Sequence, residues 1–171
     1  PQLRPVYLLR HPLPASGDRS SVTGIRVIGV GNRWRGDDAV GLEAADAIRD
    51  LAPDGVAVFE SDGDPAALLD LWDGAARVLL VDAVDSGDPP GTILRFEAGL
   101  NPIPATHFRR STHAMGIGEA VELGRALGRL PERVVFFGVA ADCFGPGTPM
   151  CAAVAAAVPA LVARVIDEAV G

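Results

Sequence analysis

The sequence has few basic residues, and no long run of apolar ones. Fifteen Lys and Arg residues face 22 Asp and Glu, giving a formal net charge of −7 and a pI near 4.8. An acidic surface repels nucleic acid and anionic membranes, so those partners are excluded, whereas a peptide or a metal-bearing protein is compatible. No apolar stretch approaches the roughly 18–20 residues of a membrane span, and the N-terminus lacks the unbroken apolar segment of a signal peptide.

Cysteine is also scarce. The two cysteines, Cys143 and Cys151, form no Cys-x-x-Cys pair. This usage is typical of a thiol-reducing compartment, so we expect a cytoplasmic protein without disulfides. We expect both side chains to be small buried hydrophobic groups.

Aromatic residues make up only 5% of the chain, so Val, Ala, Leu and Ile must fill the core. The 171 residues, 49% of them apolar, suit a single domain. Residues 1–24 show no periodicity and are predicted to be an extended or partly disordered leader. Residues 25–171 are predicted to form one domain, with no internal repeat.

Five short apolar runs predict strands, at Ile25–Val30, Val56–Glu60, Val78–Val84, Thr92–Phe96 and Val134–Ala140. Four helices are predicted: one with its apolar face from Val40 to Leu51, one starting at Asp64-Pro65, one over His113–Leu127 and one starting at Thr148-Pro149. The fold predicted is a three-layer α/β/α sandwich around a mostly parallel sheet. Strand four should be antiparallel, because Asp85–Gly91 is too short for a parallel crossover.

Polar residues of three loops should meet at one edge of this sheet, beyond the carboxyl ends of the parallel strands. Asp37 and Asp38 follow strand one, Asp82 and Asp85 end strand three, and His113 precedes helix three. Carboxylate and imidazole ligands suit a borderline divalent ion such as nickel, zinc or manganese. Asp82 interrupts an apolar run, and a buried carboxylate needs a hydrogen-bond partner or a metal.

Each of these residues also has a structural interpretation. Asp37 or Asp38 could cap helix one, and we expect one of the pair to do so while the other binds a ligand. His113 alone could be a capping or buried histidine, and His11 and His107 are expected at the surface. The Gly29-Val30-Gly31 turn is a poor dinucleotide fingerprint, because Trp34 stands where the third glycine belongs.

The segment Gly29–Gly41, read as G-V-G-N-x-x-x-G-D-D-x-x-G, resembles the N-terminal signature of the hydrogenase maturation endopeptidases. Four further segments resemble that family in order and spacing: Val78–Ala83, Pro90–Thr92, His113-x-x-Gly116, and Val134–Val139 followed by Thr148-Pro149. The resemblance spans about Ile25 to Val170. It implies a five-stranded sheet of order 2-1-3-5-4 in a phosphorylase/hydrolase-like fold.

The resemblance implies that Asp38, Asp82 and His113 are both the catalytic residues and the metal ligands. It also implies removal of a C-terminal extension from the large-subunit precursor of a nickel–iron hydrogenase after nickel insertion. The nickel is expected to come from the substrate, with zinc or cadmium able to substitute, and no organic cofactor is expected. We expect the protein itself to be a monomer.

One segment departs from the family. Where many members have an acid-Gly-Gly-Thr loop after strand two, this chain has Glu60-Ser-Asp-Gly-Asp-Pro65, so the identity of the partner subunit is open. Two alternatives from other classes stay in view. One is a nucleotide-binding α/β protein, and the other is a non-catalytic scaffold of the same fold.

Overall fold

The computed structural model describes residues 24–98 and 112–171, without the side chains of residues 112–115. The predicted leader apart from Gly24, together with His11 and His107, lies outside these residues. The described chain forms a five-stranded sheet of order β2-β1-β3-β5-β4. The strands are β1 (Ile25–Val30), β2 (Val56–Ser61), β3 (Arg77–Val84), β4 (Ile93–Glu97) and β5 (Arg133–Ala140).

The directions of the strands confirm the predicted topology. Strand β1 pairs in parallel with β2 and β3, and β3 pairs in parallel with β5. Strand β4 runs antiparallel to β5, with Ile93 opposite Val139. The carboxyl ends of β2, β1, β3 and β5 therefore lie along one edge of the sheet, where the sequence predicts the site.

Four helices cover the sheet: α1 (Val40–Leu51), α2 (Pro65–Trp72), α3 (Thr112–Ala126) and α4 (Ala152–Val170). The Asp64 carboxylate caps α2 by accepting the N–H of Ala67 at 2.9 Å, as predicted. The predicted start of α4 at Thr148-Pro149 is wrong. The helix begins three residues later, with Cys151 as its N-cap, because the Thr148 hydroxyl donates to the Gly145 carbonyl and closes a separate turn.

The alternating residues of each strand feed two apolar cores, one on each face of the sheet. Val27, Leu79 and Val135 pack on the face covered by α1 and α4. Ile28, Leu80 and Phe136 pack on the face covered by α2 and α3, together with the fully buried Trp72. All six strand side chains are fully buried. This arrangement confirms the predicted three-layer sandwich.

Helix α1 lies backbone-to-backbone on the sheet at two glycines. A methyl group on Gly29 of β1 would lie 2.2 Å from the Gly41 carbonyl oxygen. One on Gly41 of α1 would lie 2.2 Å and 2.4 Å from the carbonyl oxygens of Val30 and Val81. Neither distance is compatible with a side chain. The close packing of α1 on the sheet therefore explains why Gly29 and Gly41 are glycines.

We expect Gly41→Ala to lower the free energy of unfolding by about 1–3 kcal/mol or more, because backbone atoms cannot yield to the added methyl group. Gly118→Ala in α3 is the matched control, since its methyl group would meet nothing within 4 Å. That change should stabilise the protein by about 0.5–1 kcal/mol through helix propensity. Urea denaturation of both variants measures the two effects. Equal midpoints would contradict the packing argument.

Glu168, near the end of α4, connects this helix to strands β4 and β5. Its carboxylate accepts hydrogen bonds from Arg95 of β4 at 2.8 Å and ion-pairs with Arg133 of β5 at 2.9 Å. The hydrogen bond from Arg95 lowers the pKa of Glu168 below its usual value, against a partial opposing effect of burial.

A carboxyl group with a lowered folded-state pKa stabilises the fold above its unfolded pKa and loses that contribution as the pH falls through the folded value. Glu168→Gln should therefore lower the melting temperature at pH 7, by an amount corresponding to roughly 1 kcal/mol. The difference from the unmodified protein should shrink progressively below about pH 4.5, where glutamate begins to protonate. Melting curves between pH 3 and 7 test this, and a difference independent of pH would contradict it.

Candidate active site

Asp38 lies in a single 3-10 turn, Gly36–Ala39, between β1 and α1. It is 2% exposed. Its N–H donates to the Arg35 carbonyl at 3.3 Å, and its own carbonyl accepts the N–H of Asn32 at 3.1 Å. These two backbone hydrogen bonds fold the loop back on the end of β1 and bury the residue there.

Asp82 lies in β3, opposite Gly138 of β5, and is fully buried. One carboxylate oxygen, Oδ1, accepts the N–H of Ala83 at 2.8 Å. Gly31 connects this residue to Asp38: a methyl group on Gly31 would lie 1.9 Å from the Asp38 carbonyl oxygen and 3.9 Å from Asp82 Oδ1. The backbone carbonyl of Asp38 and the carboxylate of Asp82 therefore both lie near Gly31, at the end of β1.

His113 is the second residue of α3, and its side chain lies outside the described part of the structure. Its helix is nevertheless held at the same edge of the sheet. A methyl group on Gly116 would lie 2.1 Å from the carbonyl oxygen of Gly63, which follows β2. The N-terminal part of α3, at Gly116, thus contacts the loop beyond the carboxyl end of β2. Convergence of Asp38, Asp82 and His113 on one ion stays a prediction.

Asp37 has a role that the sequence did not reveal. Its carboxylate accepts the N–H groups of Cys151 at 2.7 Å, Cys143 at 3.0 Å and Asp142 at 3.4 Å. The residue is fully buried. The expectation that Asp37 or Asp38 caps helix one is wrong, because neither the 3-10 turn nor α1 has a side-chain cap. Asp37 instead binds the N-cap residue of α4, whose unpaired N–H groups favour an anion.

Asp37, Asp142 and Cys151 form a second cluster, with potential ligand atoms within 4.8 Å of one another. Its chemistry is that of a structural contact. Both oxygens of Asp37 already accept backbone N–H groups. Partial burial, reinforced by the Asp37 carboxylate, raises the pKa of the Cys151 thiol, so it stays protonated at neutral pH.

The expectation that both cysteines are buried is wrong. Cys143 is exposed and Cys151 is partly exposed. Both lie in the segment between β5 and α4, where their backbone N–H groups bind Asp37. Their positions are set by these backbone contacts rather than by burial of the thiols.

Known proteins resemble this chain in both sequence and fold. The sequence model described as "Hydrogenase maturation protease" matches residues 45–168. The hydrogenase 2 maturation protease of Escherichia coli (strain K12) is 32% identical over 130 residues, covering 71% of this chain and 76% of the relative. The chain belongs to the hydrogenase maturation protease family.

Solved structures agree with this assignment. The [NiFe] hydrogenase maturation protease HybD from Thermococcus kodakarensis matches with a TM-score of 0.69 and 26% identity, over 85% of this chain and 99% of that one. The hydrogenase maturating endopeptidase HybD from Escherichia coli shows the same fold, with a TM-score of 0.75 at 23% identity, over 85% of this chain and 91% of that one. The sequence match starts at residue 45, so it does not include Asp37 and Asp38.

Among the described residues, no helix of this hydrogenase maturation protease family member is long and apolar enough to cross a membrane.

The turn after β1 disfavours the nucleotide-binding alternative. Two buried aspartates, Asp37 and Asp38, occupy the place where a dinucleotide-binding helix would receive a pyrophosphate. Their charges would repel it.

We expect Asp37→Asn to destabilise the protein, because the amide would direct N–H donors at backbone N–H groups that now have an acceptor. Leaving buried donors without partners costs about 1–3 kcal/mol each. Asp54→Asn is the matched control, since its side chain is exposed in the turn before β2, away from these hydrogen bonds. Thermal melting should show a clear loss for the first variant and a change within about 0.5 kcal/mol for the second. Equal melting temperatures would refute the structural role of Asp37.

Proposed function

We propose that this protein is the endopeptidase that removes the C-terminal extension of a nickel–iron hydrogenase large-subunit precursor after nickel insertion. The observation that carries the proposal is the pair of buried carboxylates, Asp38 at 2% and Asp82 at 0% exposure, delivered by separate elements to one edge of the sheet. Burying a carboxylate costs free energy, so in a member of this protease family two buried carboxylates at one edge of the sheet are best explained by a catalytic or ligand-binding role.

The donor set fits the ion that the substrate would carry. Two carboxylates, from Asp38 and Asp82, and the imidazole of His113 are oxygen and nitrogen ligands of the kind that borderline divalent ions accept. We propose that these three residues hold the nickel of the precursor, so that cleavage follows only when nickel is in place. In this proposal nickel is part of the substrate, and zinc or cadmium could take its position.

The carboxylates also supply what peptide hydrolysis requires. Asp82, fully buried at the floor of the site, is suited to orient the attacking water and accept its proton as a general base. A bound divalent ion would supply Lewis-acid chemistry, which polarises a carbonyl and lowers the pKa of water. Both routes use the same residues, so the proposal assigns Asp38, Asp82 and His113 the catalytic as well as the metal-binding role.

We expect Asp82→Asn and His113→Ala each to abolish cleavage of a nickel-loaded precursor while the protein remains folded. Asparagine keeps the size of Asp82 and removes a fully buried charge, so stability should hold or rise. Loss of activity with retained stability distinguishes a site residue from a structural one. The assay follows loss of the precursor's C-terminal extension by mass spectrometry, alongside melting curves.

Asp54→Asn is the control, because Asp54 is exposed in the turn before β2, at the opposite edge of the sheet. It should cleave at the unmodified rate. If Asp82→Asn or His113→Ala unfolds in proportion to its loss of activity, that residue is structural. If both variants stay folded and still cleave the precursor, the proposed site is wrong. If the unmodified protein binds the precursor without cleaving it, the scaffold alternative gains support.

A further inference from the structure

The loop between β1 and the 3-10 turn, Asn32–Arg35, is fixed by backbone contacts. The Arg35 N–H donates to the Asn32 carbonyl at 3.2 Å, and the Trp34 N–H donates to Asn32 Oδ1 at 2.9 Å. On its outer side, the Trp34 carbonyl accepts the N–H of Gly147 at 2.7 Å. The loop is thus held without using the side chains of Trp34 or Arg35.

Trp34 is 80% exposed, whereas Trp72, the other tryptophan, is fully buried in the core. Among the described residues it is the most exposed of the large hydrophobic side chains. An indole held in water on an ordered loop is a costly surface for an isolated protein. Tryptophan and arginine are the residue types most enriched among those that dominate binding at protein interfaces.

Arg35 carries a guanidinium group that no described carboxylate neutralises. Its Nε is buried and has no hydrogen-bond acceptor in the described part of the chain. Arg33, two residues earlier, differs completely: it ion-pairs with Glu43, Asp46 and Glu60. Arg35 is therefore a partly buried cation with an unused donor, three residues before Asp38. A planar guanidinium is best satisfied by a carboxylate, which it can bind through two hydrogen bonds.

A groove of about 510 Å³ runs from this loop along α1 and the start of α4. Gly36 and Ala39, which flank the two aspartates in the 3-10 turn, belong to its wall. The rest of the wall is mixed: Ala47, Met150 and Val158 are apolar, whereas Arg33 and Glu43 are charged. The volume falls in the range of ligand-binding clefts, roughly 300–1,000 Å³.

We propose that Trp34, Arg35 and this groove form the docking surface for the large-subunit precursor, with Arg35 binding a carboxylate of that polypeptide. The inference rests on the proposed function. The groove reaches the 3-10 turn that carries Asp38 through Gly36 and Ala39, and it adjoins the loop through Arg33, which directly precedes Trp34 and Arg35. Arg35 provides the charge complementarity to that carboxylate, because its buried Nε has no acceptor among the described residues and the chain as a whole is acidic, with a net charge of −7. Trp34 provides the apolar anchor.

The test measures binding of the nickel-loaded precursor to protein carrying Asp82→Asn, so that binding is observed without turnover. Adding Trp34→Ala should raise Kd by about tenfold to a hundredfold, the range of truncated interface tryptophans. Adding Arg35→Gln should raise Kd about tenfold and reduce the dependence of Kd on salt concentration, because an ion pair is lost. In the active protein, the same changes should raise KM and leave kcat nearly unchanged.

Matched controls lie away from the groove. Leu127→Ala removes another exposed apolar side chain, 57% exposed beyond the end of α3, and Arg164→Gln removes an exposed arginine of α4. Neither should change Kd more than about twofold, as expected of surface residues outside an interface. Melting curves of all variants verify that each one is folded. The docking surface is wrong if Trp34→Ala and Arg35→Gln change Kd and KM no more than these controls.

The remaining outcomes separate this inference from the proposed function. If the unmodified protein fails to cleave the precursor but binds it in a manner that depends on Trp34 and Arg35, the docking surface stands and the proposed function falls. If the protein cleaves the precursor and neither Trp34→Ala nor Arg35→Gln alters that cleavage, the proposed function stands and the docking surface falls. Absence of any precursor binding overturns the docking surface. The docking surface is also overturned if the protein forms dimers in the absence of precursor and Trp34→Ala abolishes them, because a second copy would then occupy the groove.

Discussion

The carboxylate of Asp37 is the contact on which the geometry of the site depends. It accepts three backbone N–H groups, from Asp142, Cys143 and Cys151, and all three lie more than 100 residues away in the chain. A carboxylate that is fully buried must be compensated by several hydrogen bonds, and charge-assisted ones are the strongest available. This single side chain therefore joins the loop after β1 to the loop after β5 and to the start of α4.

Two adjacent aspartates can serve different purposes because they lie in a 3-10 turn. Such a turn has three residues per revolution, so successive side chains point about 120° apart. Asp37 is directed at the β5–α4 connection, and Asp38 lies beside Gly31 at the end of β1. The structural acid holds the turn in place, and the proposed functional acid inherits that position. The backbone adds a further link, since the Asp37 N–H donates to the Cys143 carbonyl at 2.8 Å.

The sequence predicts the sheet well, because the strands that are covered on both faces are continuous apolar runs and need no tertiary information. It also predicts the burial of Asp82 near the end of β3, since the residue interrupts such an apolar run, whereas the role of Asp82 stays a prediction. It fails where the partner is distant. The three donors that bind Asp37 are 105 to 114 residues away, so local pattern suggests a helix cap instead. The start of α4 fails for a related reason: Thr148-Pro149 has a capping sequence, but its hydroxyl closes a local turn.

Close backbone packing at this edge of the sheet holds both the proposed site and the proposed docking loop in position. Gly29, Gly31 and Gly41 let the 3-10 turn, α1 and the ends of β1 and β3 meet with no side chains between them. Backbone contacts and the Asp37 carboxylate together hold this edge of the sheet. The backbone of the loop Asn32–Arg35 makes its own contacts. A change of substrate could then alter Trp34 and Arg35 while the carboxylates stay in position, because the hydrogen bonds that hold the loop do not use the side chains of Trp34 and Arg35.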